Sequence, residues 1–149
     1  MTTIRQAQLN DREGIEGLLQ QYDLRAEGVL ADGSIYWITE LEECRIVAVG
    51  LELGQRSVLL RSAVIEFGCR GRGLGAALAG HALEWARMSG YASAYCFSTE
   101  ATGYWEARGF RQCKVEEVVK ALPRAPQVCL FAELGWLESE LALRIDLQE

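Results

Sequence analysis

The chain has 149 residues, of which 50% are hydrophobic and 24% are charged. That length suits one globular domain with a substantial core, and the apolar fraction excludes an intrinsically disordered chain. Fifteen basic and twenty-one acidic residues give a net charge of −6, which argues against nonspecific nucleic-acid binding because that binding depends on an excess of Lys and Arg.

Two further classes are unfavoured by the sequence. No apolar run approaches the ~20 residues of a membrane span, and the N-terminal Met-Thr-Thr-Ile-Arg lacks the apolar core of a secretory signal. Five cysteines without a CxxC pair accompany a single histidine, so we expect free thiols in a reducing compartment, no zinc site and a cytoplasmic protein that contacts neither nucleic acid nor membrane.

The first half of the chain predicts a strand, a helix and a meander of strands. A strand at Ile4 to Gln8 is followed by a helix that Asn10 or Asp11 can cap, because their side chains accept hydrogen bonds from free backbone N–H groups. Three strand-like runs with short turns then predict antiparallel neighbours. These runs are Ile35 to Glu40, Arg45 to Leu53 and Ser57 to Ile65.

The second half begins with a glycine-rich bend, Gly68 to Gly75, that opens an amphipathic helix ending near Met88. The remaining predicted elements are a strand at Tyr91 to Ser98, a short helix at Glu100 to Ala107, strands at Phe110 to Val119 and Val128 to Glu133, and a helix at Leu137 to Leu147. We therefore expect a single mixed α/β domain over residues 1–149, with residues 135–149 as a helical C-terminal extension.

The segment Arg70-Gly71-Arg72-Gly73-Leu74-Gly75 carries the chemistry. Free backbone N–H groups and the helix dipole at a glycine-rich helix start favour a phosphate, and the arginines add charge-assisted donors. A P-loop is excluded because no lysine follows these glycines. A dinucleotide fingerprint through Gly71, Gly73 and Ala76 is a weak match, because the stretch after Ile65 is too long for its tight strand-to-helix turn.

The same segment resembles the acyl-CoA pyrophosphate loop of the GNAT superfamily of N-acetyltransferases. A second match lies downstream, where Tyr104-Trp105-Glu106-Ala107-Arg108-Gly109-Phe110 is similar to the family's late helix and its closing glycine-phenylalanine. The resemblance covers about Ile4 to Glu133. Leu59-Leu60-Arg61-Ser62 and Trp105 look most like the arsenic-resistance-type and amino-acid N-acetyltransferases.

The resemblance implies an α/β GNAT fold, with a mixed central sheet, an antiparallel meander, helices on both faces and two central strands that splay apart. It implies that backbone amides of the loop cradle the CoA pyrophosphate and that the strand edge at Val64 and Ile65 pairs with the pantetheine arm. Trp105 is expected at the cofactor. The expected cofactor-binding residues are thus Val64, Ile65, Arg70, Gly71, Arg72, Gly73, Leu74, Gly75 and Trp105.

The acceptor side is expected to hold Arg61, Ser62, Ser98 and Thr99. Ser98 and Thr99 follow the second splayed strand, close to where the acyl group meets the amine. Arg61 lies on a predicted central strand, where an unpaired arginine is costly to bury. Two alternatives stay open: Arg61 binds a substrate carboxylate, or it pairs structurally with a neighbour such as Glu52.

The catalytic groups follow the family pattern less closely. Many members carry a general-acid tyrosine four residues before the late glycine, whereas this chain has Trp105, whose indole N–H is not a useful acid. Tyr104 is adjacent but turned about 100° away on a helix, and the thiolate can also leave unprotonated. Glu52 is a candidate base, directly or through water, and a water chain without a side-chain base is the alternative.

The sequence therefore predicts an acetyl-CoA-dependent N-acetyltransferase acting on the primary amine of a small, amino-acid-like molecule by direct attack in a ternary complex. Arg61 motivates the carboxylate-bearing acceptor. The alternative is a CoA-binding sensor or interaction domain with little turnover, motivated by Trp105. The apolar side of the C-terminal segment is compatible with a homodimer.

Overall fold

The computed structural model describes residues 3–21, 26–40, 46–64, 74–98 and 102–148. Its strands form one seven-stranded sheet in the order β1-β2-β3-β4-β5-β7-β6. The strands are β1 (Ile4–Gln6), β2 (Ser34–Glu40), β3 (Ile46–Leu53), β4 (Ser57–Val64), β5 (Ser93–Phe97), β6 (Arg111–Cys113) and β7 (Ala142–Asp146). The α-helices are α1 (Arg12–Gln21), α2 (Leu74–Met88), α3 (Thr102–Glu106), α4 (Val115–Ala121) and α5 (Pro126–Leu134).

The predicted antiparallel meander is confirmed. Strand β2 pairs with β3 from Ser34–Glu52 to Glu40–Ile46, and β3 pairs with β4 from Leu53–Val58 onward. The turn between β3 and β4 closes when the Gly54 N–H donates to the Ser57 carbonyl at 2.8 Å. Short turns force neighbouring strands to run antiparallel, so the spacing of turn residues was a sufficient guide here.

Helix α2 connects β4 to β5, and these two strands run parallel. Their pairing runs from Ser57–Ser93 to Leu60–Cys96. Within the described residues no pairing joins them beyond that point, although β4 continues to Val64. On its other edge β4 carries a bulge, because the register steps from Gly50–Arg61 to Ala48–Val64. A bulge bends its strand, and within the described residues the pairing of the two central strands ends where this bulge begins, which we call their separation.

The sheet is covered by helices on both faces. Helix α2 covers one face, where Leu78 and Ala82 pack against Leu60 and Cys96. Two groups of helices cover the other face. Helix α1 packs on β2 and β3 through Ile15, Leu18 and Leu19, and α4 and α5 pack on β4, β5 and β7 through Val118, Leu122 and Val128. No helix in the described ranges is long and apolar enough to cross a membrane.

The predicted strand at Val128 to Glu133 is wrong, because this segment belongs to helix α5. Pro126 stands at the first helical position, where a missing N–H costs nothing. Gly135 ends the helix with φ +72, a left-handed conformation that favours glycine. The short apolar run Val-Cys-Leu-Phe fits either a strand or a buried helix, and the flanking proline and glycine decide for the helix.

The C-terminal helix predicted over residues 135–149 is also wrong. A short 3-10 helix occupies Leu137–Ser139, and β7 follows between β5 and β6. Those two strands supply backbone partners for both edges of β7, which outweighs the weak helical spacing of its apolar residues.

Two smaller corrections concern the ends of elements. The predicted strand at Phe110 to Val119 is β6 followed by α4, so Glu116 and Glu117 lie in the first turn of a helix, where acidic residues are favoured. Before α1, a 3-10 helix spans Leu9–Asp11. Asp11 accepts the N–H of Gln8 at 2.7 Å, one turn earlier than the predicted cap of α1.

Candidate active site

The separation of β4 and β5 forms the centre of the candidate site. Ser62 and Val64 lie on the part of β4 that extends past its last pairing with β5, and Ser62 lies within the bulge. Leu74 begins α2 and Gly75 follows it, as the predicted loop-to-helix transition requires. The predicted residues Ile65, Arg70, Gly71, Arg72, Gly73 and Thr99 lie outside the described residues.

Arg61 and Glu52 form a buried ion pair on the sheet face that α1 and α5 cover. The Arg61 Nη1 donates to Glu52 Oε2 at 2.7 Å, and their side chains are 2% and 0% exposed. The register places them on neighbouring strands, since Gly50 pairs with Arg61 and Glu52 pairs with Leu59. Of the two alternatives that the sequence left open for Arg61, the structure contains the ion pair with Glu52.

Two segments distant in sequence also contact this pair. Arg61 Nη1 also donates to the carbonyl of Glu27 at 2.9 Å, and Glu52 Oε1 accepts the N–H of Gln127 at 2.8 Å. Gly28, at φ +85, lies so close that an added Cβ would stand 3.0 Å from Arg61 Nη1. A carboxylate at the N-terminus of α5 is favoured by the helix dipole, so Glu52 binds both a guanidinium and a helix end.

Sequence reasoning missed the contribution of α5 to this cluster. The Pro126-Gln127 helix start was the available indication, since proline favours the first helical position. The side chain of Gln127 adds a further polar group to the surroundings of the ion pair. Its amide Oε1 is buried and has no hydrogen-bond partner among the described residues, and such an acceptor carries a desolvation cost.

Helix α3 carries the two aromatic residues expected at the site, one of them buried and the other exposed. Trp105 is 8% exposed and packs in the core below α2, with its ring edge on Phe110 at 5.4 Å between centroids. Tyr104 is 38% exposed, and the guanidinium of Arg108 lies over its ring at 3.9 Å. Both residues lie on helix α3, and their rings meet edge to face at an interplanar angle of 88°.

Ser98 follows the last residue of β5. Its N–H donates to the Leu141 carbonyl at 2.9 Å, which extends the pairing of β5 with β7 by one step. Ser98 is half-buried and stands where β4 and β5 have already separated.

A second charged cluster fastens α4 to the sheet. Glu117 accepts from the Tyr95 hydroxyl and from Arg144 Nη1, both at 2.8 Å, and Arg144 Nε also binds Asp146 at 2.8 Å. The hydrogen bond from Arg144 lowers the pKa of Glu117 below its ordinary value of 4.5. Burial raises the pKa of Tyr95. These groups hold α4 against β5 and β7, away from the separated strands.

Several solved structures share this architecture. The N-acetylglutamate synthase of Neisseria gonorrhoeae, complexed with coenzyme A and N-acetyl-glutamate, matches with a TM-score of 0.78 and 17% identity over 100% of this chain and 36% of that chain. An acetyltransferase of the GNAT family from Staphylococcus aureus matches with a TM-score of 0.75 and 14% identity over 99% of both chains. The ribosomal-protein-S18-alanine N-acetyltransferase from Escherichia coli matches with a TM-score of 0.72 and 12% identity over 100% of this chain and 96% of that chain.

This chain therefore spans about a third of the synthase and nearly all of the other two proteins. No protein-family model and no curated protein matches its sequence. At these identities the likeness establishes a shared fold.

Proposed function

Because the chain has the fold of the GNAT N-acetyltransferases, we propose that it is an acetyl-CoA-dependent N-acetyltransferase acting on the primary amine of a small molecule. The ammonium group of the acceptor first loses a proton, and its nitrogen then attacks the thioester carbonyl carbon. A C–N bond forms and the C–S bond breaks, with the electron pair leaving on sulfur. The products are the N-acetyl amide, the CoA thiol and one proton.

The separation of β4 and β5 is the observation that supports this proposal most directly. Parallel neighbours normally stay paired, because unpaired backbone groups inside a sheet are costly. Beyond Leu60–Cys96 the continuation of β4 to Val64 offers backbone donors and acceptors to an extended ligand. The residues that connect this strand to α2 include Arg70-Gly71-Arg72-Gly73, whose composition suits a pyrophosphate.

In this proposal acetyl-CoA supplies the activated acyl group, and the chain supplies its position. Backbone N–H groups of Arg70 to Gly75 bind the pyrophosphate, while Val64 and Ile65 pair with the pantetheine arm. Backbone N–H groups near the thioester carbonyl stabilise the oxyanion. Alignment of two bound reactants accounts for a large part of the rate.

We propose Tyr104 as the group that protonates the leaving thiolate, since its hydroxyl-bearing ring is exposed whereas Trp105 is buried. Tyr104→Phe is then expected to lower kcat by about 100-fold or more with little change in the KM for acetyl-CoA. An unchanged kcat would show that the thiolate leaves without this residue. Trp105→Tyr is the matched variant, because it places a phenol at the position that the family uses.

The proton of the attacking amine has two candidate acceptors. Glu52 is the side chain that the sequence suggested, and its complete burial requires a water chain for that role. Bulk water is the other. A pH profile of kcat/KM that loses its acid limb in Glu52→Gln would support Glu52.

An amino-acid-like acceptor is the finer form of the proposal, held by Arg61, Ser62, Ser98 and Thr99. The N-acetyl-glutamate in the synthase complex supports it for a protein of the same fold. Since Arg61 binds Glu52 here, a substrate carboxylate would have to displace that partner. The arsenic-resistance-type or amino-acid branch is likewise proposed, from Leu59 to Ser62 and Trp105.

A second candidate function is a CoA-binding sensor with little turnover. The buried indole of Trp105, in the position where many relatives of this fold carry a tyrosine, favours it. Stoichiometric binding of acetyl-CoA without thiol release across a broad amine panel would support this function over the enzyme. A cytoplasmic location and a homodimer are further proposals, and sedimentation velocity tests the second.

Calorimetric titration of acetyl-CoA into the wild-type protein and Gly73→Glu tests the proposed function. The glutamate places a negative side chain at the pyrophosphate, so binding is expected to be lost. Gly80→Glu is the matched control, because it adds the same charge to α2 at an exposed position with nothing within 4 Å of the new Cβ. Absence of acetyl-CoA binding to the wild type would refute the proposal. Equal loss of binding in Gly73→Glu and Gly80→Glu would refute the assignment of the loop as the pyrophosphate site.

A further inference from the structure

Three aromatic rings lie in a row from the end of β5 to the surface. The rings of Phe97 and Phe131 are 5.6 Å apart, and the rings of Phe131 and Trp136 are 5.4 Å apart. Phe97 is the last residue of β5, Phe131 lies on α5, and Trp136 follows the end of that helix. We call these three residues the aromatic row.

The turn at the C-terminus of α5 places Trp136 against the last turn of that helix. Gly135 adopts φ +72, and the Trp136 N–H then donates to the Phe131 carbonyl at 2.9 Å. Phe131 is 8% exposed, whereas Trp136 and the neighbouring Leu134 are each 38% exposed. The row is therefore packed at its inner end and open to solvent at its outer end, as in a binding surface lined by rigid apolar side chains.

The inner end of the row adjoins the separated central strands. Phe97 lies one step beyond Cys96, the residue of β5 that makes the last pair with β4. On the other side of β5 the Ser98 N–H is held by Leu141, so this strand end is fixed in position. An amine bound at the end of β5 on the face covered by α5 would thus have Phe97, the inner end of the aromatic row, beside it.

The chain segment that carries Phe131 and Trp136 has acidic charges only. No Lys or Arg occurs between Arg124 and Arg144, whereas Glu133, Glu138 and Glu140 all do. Such a surface attracts cations and repels anions.

Glu140 has the most significant position of the three glutamates. Its backbone is extended, and strand alternation from Ala142, the partner of Phe97, places it on the α5 face. It is half-buried, and burial raises the pKa of its carboxyl group. None of the described residues forms an ion pair with it, so an ammonium group would relieve the cost of its desolvation.

We propose, on the basis of the N-acetyltransferase function above, that the aromatic row and Glu140 select the acceptor as an ammonium ion whose carbon skeleton carries an aromatic or branched aliphatic group. The ammonium lies between Glu140 and the end of β5, and the apolar group packs on Phe131 and Trp136. An acidic side group is disfavoured at this surface. The proposal concerns the side group and leaves the carboxylate question to Arg61.

The test is a thiol-release assay with two matched pairs of acceptors. The first pair is 2-phenylethylamine and ethylamine, which both lack a carboxylate. The second is L-phenylalanine and L-glutamate, which both carry one on the α-carbon. In each pair the aromatic member is expected to have a kcat/KM at least ~10-fold higher. Comparison between the pairs reports separately on Arg61.

Variants localise the effect. Trp136→Ala is expected to remove most of the advantage of the aromatic member, and Glu140→Gln to raise KM for both members of the first pair by about 10-fold. Met88→Ala and Glu84→Gln are the controls, because both residues are exposed on the last turns of α2, near the opposite end of β5. They are expected to keep the wild-type ratio.

A binding readout separates this proposal from the proposed function. The indole N–H resonance of Trp136, assigned with Trp136→Phe, is expected to shift when 2-phenylethylamine is added to the acetyl-CoA complex. Turnover of L-glutamate that exceeds that of L-phenylalanine, or ratios unchanged in Trp136→Ala, would overturn the aromatic site while the enzyme function stands. A dimer that Trp136→Ala converts to a monomer, with unchanged ratios, would make the surface a contact between copies. Loss of acetyl-CoA binding altogether would overturn both.

Discussion

The ion pair between Arg61 and Glu52 gives the sharpest prediction about stability. Arg61→Met removes the guanidinium from the Glu52 carboxylate, which has no exposed surface and still accepts the Gln127 N–H at 2.8 Å. Glu52→Gln keeps the shape of the side chain and removes the carboxylate that Arg61 binds. Removing one partner of a buried ion pair costs about 3–5 kcal/mol.

That cost is large relative to the whole stability of a domain, which is typically about 5–15 kcal/mol. For a chain of this length it corresponds to a fall in Tm of roughly 6–20 °C. The double variant Glu52→Gln/Arg61→Met removes both charges together, so we expect it to lose less stability than the sum of the single variants by at least about 2 kcal/mol.

Urea unfolding at neutral pH, followed by circular dichroism, measures these free energies. The matched control is the ion pair of Glu84 and Arg87, in which Oε1 and Nη2 are 2.6 Å apart. Their side chains are 54% and 50% exposed. The same substitutions there are expected to change stability little. Additive effects of the Arg61 and Glu52 variants, or single losses no larger than those of the control pair, would refute the assignment of a buried, mutually dependent pair.

Three further predictions concern other parts of the molecule. Gly50→Ala would drive a methyl group into the buried ring of Tyr36 and is expected to cost about 1–3 kcal/mol in urea unfolding. Because the pKa of Glu117 is lowered in the folded state, its contribution is complete above the ordinary value of 4.5 and is lost as the pH falls through the folded value, so Glu117→Gln should flatten the loss of stability as the pH falls below 4.5. Burial raises the pKa of the Cys96 thiol to about 12, so iodoacetamide at neutral pH should alkylate the exposed Cys129 and leave Cys96 unmodified until the chain unfolds, as peptide mass spectrometry would show.

The parts of the fold that the sequence predicted well are those with strong local patterns. Helix α2 was expected to end near Met88 and does so, because its apolar spacing continues over four turns. The meander followed from apolar runs separated by short turns. By contrast, β7 depends on partners that are distant in sequence, so the weak helical spacing at Leu137 and Leu141 was misleading.

The candidate site shows the same division. The loop motif could be found because its chemistry is concentrated in six consecutive residues, Arg70 to Gly75. The pairing of Arg61 with Glu52 was one of two alternatives, since a sequence shows which charges occur but not which of them meet. The aromatic row could not be predicted, because the sequence predicts a strand at Val128 to Glu133 and places Trp136 in a helical C-terminal extension.

The hydrogen bond between Gln127 and Glu52 has a consequence for the order of folding. The two residues are 75 positions apart, and contacts of such separation form late because a long loop must close first. The N-terminus of α5 can bind the Glu52 carboxylate only after β3 and β4 have paired and Arg61 has oriented Glu52. We therefore expect the meander to form first and α5 to dock last, so that amide protons of α5 exchange with solvent earlier than those of β3.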